Sequence, residues 1–473
     1  MKYLKHPWAF LLLSVVMTVV VKVPHLGLPY FFDETSSYIP AIMEMAKEGP
    51  SLMPGSIPLF YSKGHPLLFY FLASSWMKFI AGDSLVIMRL FPLLVSLAAL
   101  VVFHHFAKRH TNLLLANIGV LLLSLQPMFL AQASLVLPEI LLFMLFILSF
   151  DRYLSRSFGG YALFGSLMML TKESAAVFAG LLGLAYLAEN YRDWNTKLFW
   201  KDLLLVSTPV GTYLVFLLLH HLQFGVFLYQ EHLNYISFDR ATLLYKFNSA
   251  TSTLLLAHGR NVLVFAAIIS LAILLFKKEK IAYSRFLVLT MAMIIAYLAF
   301  CIFNFFTYRY LFPVMGITLL ASLAVIQQIK IKYQALNVAC IACMLSVSAY
   351  YSTTKRGHGD ADLGYTEYLV VHQQVVSYCE KQGWYDKKIC AGFNILWDMH
   401  KPYAHYLSTP RIFKVHALPA IGNSDLIIYD STCSPGELVE KEKNKLILVK
   451  RMVYKSHWAE IYRLSDIQST QIN

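Results

Sequence analysis

The chain has 473 residues, of which 58% are hydrophobic, 15% aromatic and only 14% charged, with a formal net charge of +13. Soluble domains carry nearer a quarter charged residues, so a disordered, collagenous or disulfide-scaffold protein is excluded and an ordinary water-soluble enzyme does not fit. The basic excess needs no nucleic acid as partner, because Lys and Arg retained against an anionic cytoplasmic leaflet account for it.

Taken in chain order, the first element is the apolar run from Trp8 to Val23 behind Lys2 and Lys5. It has the basic and hydrophobic regions of a signal peptide, yet no small-x-small cleavage site follows. It therefore reads as an uncleaved transmembrane helix with a cytoplasmic N-terminus. A ruler of roughly 20 apolar residues per span then gives about eleven spans, near 8–23, 86–106, 113–130, 137–150, 160–171, 174–188, 203–219, 261–276, 286–303, 311–328 and 335–350. The break at Thr171-Lys172-Glu173-Ser174 reads as two helices meeting at a surface, since a charged pair at mid-membrane is expensive.

Alternation of these spans puts Lys108-Arg109, Arg152/Arg156, Arg192/Lys197/Lys201, Lys277-Lys278 with Lys280/Arg285, and Lys330/Lys332 on the side of the N-terminus. Every loop there is basic, as cytoplasmic loops are. The other side receives 24–85, 131–137, 172–174, 220–260, 304–310 and everything after 351. Within 24–85, patches at 35–48 and 66–80 read as helices lying along the interface. The chain thus divides into a polytopic helical unit, 1–350, and a small extracytoplasmic α/β domain, 351–473. That tail is expected to hold helices at 365–382 and 395–407 and strands at 387–391, 425–430 and 445–464. It shows no catalytic motif, and no repeat of 20–50 residues is present in the chain.

The six cysteines show no His-rich partner at metal spacing, so zinc and haem are unsupported. Cys340 and Cys343 read as small core residues, and the three tail cysteines allow one disulfide. His104-His105 and His220-His221 lack ligand spacing on one helix face, because adjacent residues point about 100° apart. The loop segment 234–240 is a candidate cover for a cavity.

The chemistry-bearing residues gather on the non-cytoplasmic side. Asp33-Glu34 follows Tyr30-Phe31-Phe32. A carboxylate beside apolar rings is desolvated and becomes a stronger base; the structural alternative is an N-cap for the helix at 35–48, and the two roles are compatible. Glu139 opens the fourth span, where a lone carboxylate faces a polar cavity or complements the helix dipole. Lys63 and His65 end the first outer segment, Lys172 lies between two spans, and Tyr308-Arg309 precedes the tenth. Snorkelling explains any one of these cations, but several converging on the face that the positive-inside bias depletes suit a lipid phosphate.

In order and spacing, Asp33-Glu34, Lys63-Gly64-His65-Pro66-Leu67, Gly82-Asp83-Ser84 with Arg89-Leu90-Phe91-Pro92, Pro138-Glu139, Leu170-Thr171-Lys172 and Arg309-Tyr310-Leu311-Phe312-Pro313 resemble the integral-membrane glycosyltransferases of the GT-C superfamily. The likeness is specifically to the dolichyl-phosphate-mannose protein mannosyltransferase and lipid A aminoarabinose transferase group, over about residues 1–330. The resemblance implies a GT-C fold of many transmembrane helices, a polyprenyl-phosphate-linked sugar donor, and inverting transfer to a hydroxyl or phosphate on a lipid, glycan or protein. It makes Asp33 the catalytic acidic residue with Glu34 beside it. Lys63, Lys172 and Arg309 then serve the lipid phosphate, and His65, Glu139 and Tyr308 complete the substrate-binding set; Glu139 falls where members often have Asp. The eukaryotic protein mannosyltransferases carry a lumenal β-trefoil insert that this sequence lacks, which points to a bacterial inner-membrane enzyme acting on the periplasmic side. Cations can stand in for a metal at the leaving phosphate; a divalent ion, Mg or Mn, between Asp33 or Glu34 and Glu139 is the alternative. The competing readings are a secondary transporter of an anionic or lipidic solute, which would place its charges nearer the midplane, and a non-catalytic assembly subunit.

Overall fold

The computed structural model describes residues 6–329, 334–354, 356–357, 359–418, 424–433 and 446–464. The chain divides into two compact units, Met1–Pro24 with Ala41–Lys355, and His25–Pro40 with Arg356–Asn473.

The first unit is helical. Each sequence-expected span coincides with a helix: α1 (Ala9–Lys22), α2 (Leu85–His110), α3 (Leu113–Ser124), α4 (Glu139–Leu154), α5 (Phe158–Met169), α6 (Ala176–Asn190), α7 (Lys197–Phe224), α8 (Arg260–Phe276), α9 (Ser284–Phe303), α10 (Phe312–Ile326) and α11 (Gln334–Thr354). By length and composition, six helical runs among the described residues can cross a membrane: Leu85–His110, Lys197–Phe224, Arg240–Phe276, Ser284–Phe303, Tyr308–Ile326 and Leu336–Thr354. Helices α3 and α5 are apolar but shorter.

Local chemistry sets several boundaries. Ser84, Asn112 and Thr196 accept hydrogen bonds from the amides of Ile87, Leu115 and Phe199, capping α2, α3 and α7, which satisfies donors the helix itself cannot. Pro313 sits in the first turn of α10, where no amide is needed. Every residue of α10 except Ala321 is buried, so α10 forms the centre of this unit. It packs against α3, α4, α8 and α9. By contrast α7, α8 and α9 expose Leu204, Leu222, Ile269, Phe276 and Val288, an apolar surface of the extent that suits lipid rather than water. Cys343 on α11 is likewise exposed rather than in a core. Where α5 meets α7, a Cβ on Gly165 would lie 2.6 Å from the Pro209 ring, so only glycine permits that approach.

The second unit carries a five-stranded mixed sheet in the order β2-β1-β3-β5-β4, from β1 (Lys388–Ala391), β2 (Lys414–Ala417), β3 (Leu426–Asp430), β4 (Leu446–Tyr454) and β5 (His457–Leu464). Strand β1 pairs in parallel with β2 and β3, and β5 pairs antiparallel with β3 and β4. Helix α12 (Gly364–Lys381) packs on β4 and β5, and α13 (Phe393–His400) on β1 and β2. The expected tail elements are present; β2 is additional, because Lys414-Val415-His416-Ala417 is short and only partly apolar. All three tail cysteines are free thiols, so the disulfide that their number allowed is not formed.

Residues 25–40, which the sequence reading places in the 24–85 segment, fold within this second unit. The ring of Phe31 meets Tyr365 and Tyr368 edge-on, and Phe32 meets Phe393. Tyr403 and Tyr406 donate their hydroxyls to the carbonyls of Thr35 and Tyr30. The aromatic content of Tyr30-Phe31-Phe32 is thus used to bury the segment against the tail.

Candidate functional site

In the helical unit, three helix ends carry the strongest concentration of buried charge. Glu139 is the first residue of α4, Lys172 lies in the link between α5 and α6, and Arg309 lies in the 3-10 turn Tyr308–Leu311 that leads into α10. Lys172 Nζ donates to Glu139 Oε1 at 2.8 Å, and Arg309 Nε donates to the same oxygen at 3.1 Å. The side chains are 1%, 4% and 8% exposed for Glu139, Lys172 and Arg309. One carboxylate oxygen therefore holds two cations side by side, and the trio carries excess positive charge. The second oxygen, Glu139 Oε2, has no hydrogen-bond partner among the described residues. Lys172 Nζ also lies 3.8 Å from the centre of the Tyr310 ring, a cation–π geometry. Burial disfavours the Lys172 ammonium, but the Glu139 carboxylate outweighs it and the net shift is upward, so Lys172 is a fixed cation at neutral pH.

A second cluster adjoins it in sequence at Glu173. His65 Nδ1 lies 2.7 Å from Glu173 Oε2, and the His65 and His232 rings are 4.9 Å apart between centres. The geometry follows from the backbone. The Leu68 amide donates to the Leu170 carbonyl at 2.8 Å, which ties the 63–68 turn to the end of α5. Gly64 adopts φ +73 with Tyr229 Cβ 3.1 Å from where its own Cβ would stand, so the loop bearing His232 lies directly on that turn. Burial favours the neutral Glu173 acid, but His65 outweighs it and holds the carboxyl well below the usual carboxylate range. Burial, with His65, Lys63 and Lys172 adding to it, lowers His232 to about 4, leaving that imidazole neutral at pH 7.

Of the sequence-derived residues, Lys63, His65, Glu139, Lys172 and Arg309 are all in this unit, the last three in direct contact. Tyr308 is 42% exposed, with its ring against Phe306; Tyr310, two residues on, is the tyrosine that meets Lys172. Glu173, His232 and Tyr310 are the additions that sequence reasoning missed. The His pairs serve packing: His104 Nε2 lies 2.9 Å from Asn117 Oδ1, and His220 Nδ1 2.8 Å from the Val226 carbonyl. Buried Arg260 is likewise structural, with the Leu254 and Thr253 carbonyls and Gln126 Oε1 as acceptors.

Asp33 and Glu34 lie in the second unit. Asp33 occupies the N-cap of a π-helical turn, Glu34–Tyr38, but its side chain makes no capping bond. Glu34 is buried and its Oε2 accepts the Phe31 amide at 2.7 Å. Wide turns of this kind are frequent at functional sites, and here Pro40 gives a cause: it has no amide to continue an ordinary α-helical ladder.

Among the described residues, the group whose donor atoms are close enough to share an ion is His65, Glu173 and His232, all within 4.8 Å of one another.

No family model matches the sequence, and no curated protein does. Among solved structures, the chain is similar to ArnT from Cupriavidus metallidurans bound to undecaprenyl phosphate, with a TM-score of 0.57 and 13% identity over 96% of this chain and 98% of that one. It is similar to the same protein in the apo state, with a TM-score of 0.53 and 13% identity over 95% and 97% of the two chains. A weaker likeness, TM-score 0.36 over 46% of this chain and 33% of that one, is to the Saccharomyces cerevisiae protein O-mannosyltransferase Pmt1-Pmt2 complex bound to the sugar donor, and carries no argument. The ArnT likeness covers nearly the whole of both chains and shows a shared fold.

Proposed function

We propose that the chain is an inverting glycosyltransferase that moves one sugar from a polyprenyl-phosphate donor to a hydroxyl or phosphate acceptor on lipid A, a polysaccharide or a protein, at the periplasmic face of a bacterial inner membrane. The observation that carries this reading is the Glu139–Lys172–Arg309 cluster in a chain of ArnT fold: two cations held side by side by one carboxylate oxygen, at helix ends whose dipoles favour an anion. Such an arrangement suits a lipid phosphate, since Lys acts as a point charge and Arg as a fork. Undecaprenyl phosphate bound to ArnT is the same ligand chemistry.

In the proposed reaction the acceptor oxygen attacks the anomeric carbon as the bond from that carbon to the phosphate oxygen breaks. The bonding pair leaves with the phosphate, and Lys172 and Arg309, with Lys63, stabilise the added charge. The acceptor proton goes to a base, and Asp33 is assigned that role by the sequence resemblance.

The test is mass spectrometry of lipid extracts from a host lacking the gene, rescued with wild type or with Asp33→Asn. A polyprenyl-phosphate sugar should accumulate in the deletion and clear only with wild type. Clearance by Asp33→Asn sinks the base assignment, and a different stranded solute with no change in such lipids makes the chain a transporter.

A further inference from the structure

We propose that His65, Glu173 and His232 form a site for one divalent transition-metal ion of the zinc class, joining the 63–68 turn, the α5–α6 link and the 220–260 loop. Two features support it. The donor atoms of the three residues lie within 4.8 Å of one another, so side-chain shifts of about 1 Å bring them to the roughly 3.3–3.6 Å spacing of tetrahedral ligands at about 2.0–2.2 Å from one ion. Two imidazoles and one carboxylate select Zn2+ and its neighbours over Mg2+, which keeps its waters and prefers all-oxygen ligands.

The backbone brings the ligands together before any ion arrives, through the Leu68–Leu170 hydrogen bond and the close seat of Tyr229 over Gly64. A metal entering the cluster replaces the hydrogen bond between His65 Nδ1 and Glu173 Oε2, now 2.7 Å apart, with Nδ1 as the ligand atom and the imidazole proton on Nε2. Three protein ligands leave a fourth position for water or an anion. Lys63 and Lys172 act on the same cluster, so an anion on that fourth position would be doubly favoured. If the transferase reading holds, a lipid phosphate is such an anion, but the metal site rests on its own ligands.

The test is Zn2+ titration by isothermal calorimetry of the full chain in detergent, tag removed, chelator-stripped and without added lipid. Wild type should bind one equivalent with excess Mg2+ unable to compete, and His232→Ala and Glu173→Gln should each weaken binding by at least about tenfold. Co2+ in place of Zn2+ should give a ligand-field spectrum that His232→Ala alters, a readout on the wild-type fold that does not depend on either variant's yield. No stoichiometric binding, or variants that bind as wild type does, overturns the proposal. Transfer by a chain that fails to bind Zn2+ would leave the transferase reading standing and the metal site refuted; Zn2+ binding by a chain that transfers no sugar would do the opposite.

Discussion

The helical unit and the tail each bury a cluster of ionised groups, around Glu139 and around His372, and the two are built to opposite ends. In the helical unit a single carboxylate oxygen serves Lys172 and Arg309, leaving excess positive charge and one Glu139 oxygen without a hydrogen-bond partner. In the tail, His372 stands between two carboxylates, its Nδ1 2.5 Å from Asp398 Oδ2 and its Nε2 3.7 Å from Asp430 Oδ2. Asp430 is further held by the Thr432 amide and hydroxyl. No His372 side-chain atom reaches solvent, so no ligand can enter. Buried charge alone therefore does not mark a site. The tail triad closes on itself with excess negative charge, whereas the helix-end trio keeps the sign and the geometry that an anion can use.

The sharpest way to break this comparison is Glu139→Gln, which keeps the shape and removes the anion, leaving two buried cations facing each other. Loss of one partner of a buried pair costs roughly 3–5 kcal/mol. The helical unit should then unfold at markedly lower temperature in detergent, or recover stability only when an anionic lipid is added. Lys172→Met tests the functional half: it removes one of two stabilising charges at the departing phosphate and should lower transfer roughly 10²–10³-fold, measured as turnover of a polyprenyl-phosphate sugar. Arg309→Lys keeps the charge but loses the fork, so its loss should be smaller. Equal losses for a charge-removing and a charge-keeping change would mean that the cluster acts by packing.

The helices were legible because apolar run length and the charges at helix ends are local properties of the chain, although only six helical runs among the described residues are long and apolar enough to cross a membrane. Asp33, Glu139, Lys172 and Arg309 stood out for the same reason, each being an ion at the edge of an apolar run. What was not legible was pairing across distance. Glu139 meets residues 33 and 170 positions away, and His372 meets Asp398 from 26 away, with no spacing rule to announce either. His232 sits in a loop with no metal-ligand spacing to His65 or Glu173. Tyr310 was passed over for Tyr308 because the 3-10 turn, not the sequence, decides which tyrosine faces Lys172. The seat of residues 25–40 in the tail's unit was hidden because Tyr30-Phe31-Phe32 reads equally well as an interfacial aromatic belt.

The tail triad makes a smaller prediction with a definite sign. Burial works against the His372 imidazolium, but the hydrogen bond to Asp398 and the charges of Asp398 and Asp430 raise it from 6.5 to about 9. A folded-state value above the unfolded one means that the folded chain holds the proton more tightly. The contribution is therefore complete below pH 6.5 and is lost as pH rises through about 9. At about 1.4 kcal/mol per unit, the loss is about 3 kcal/mol. Urea midpoints read by pulsed hydrogen exchange over Leu426–Asp430 should fall across that window, and His372→Gln should flatten the fall. The exposed pair of Arg411 and Asp386, 2.7 Å apart with side chains 56% and 74% exposed, is the control in the same unit. Arg411→Ala should move the midpoint by less than about 1 kcal/mol. If it moved the midpoint as far as His372→Gln did, dehydration would not be what gives the triad its strength, and the contrast between buried and exposed ions in this unit would fail.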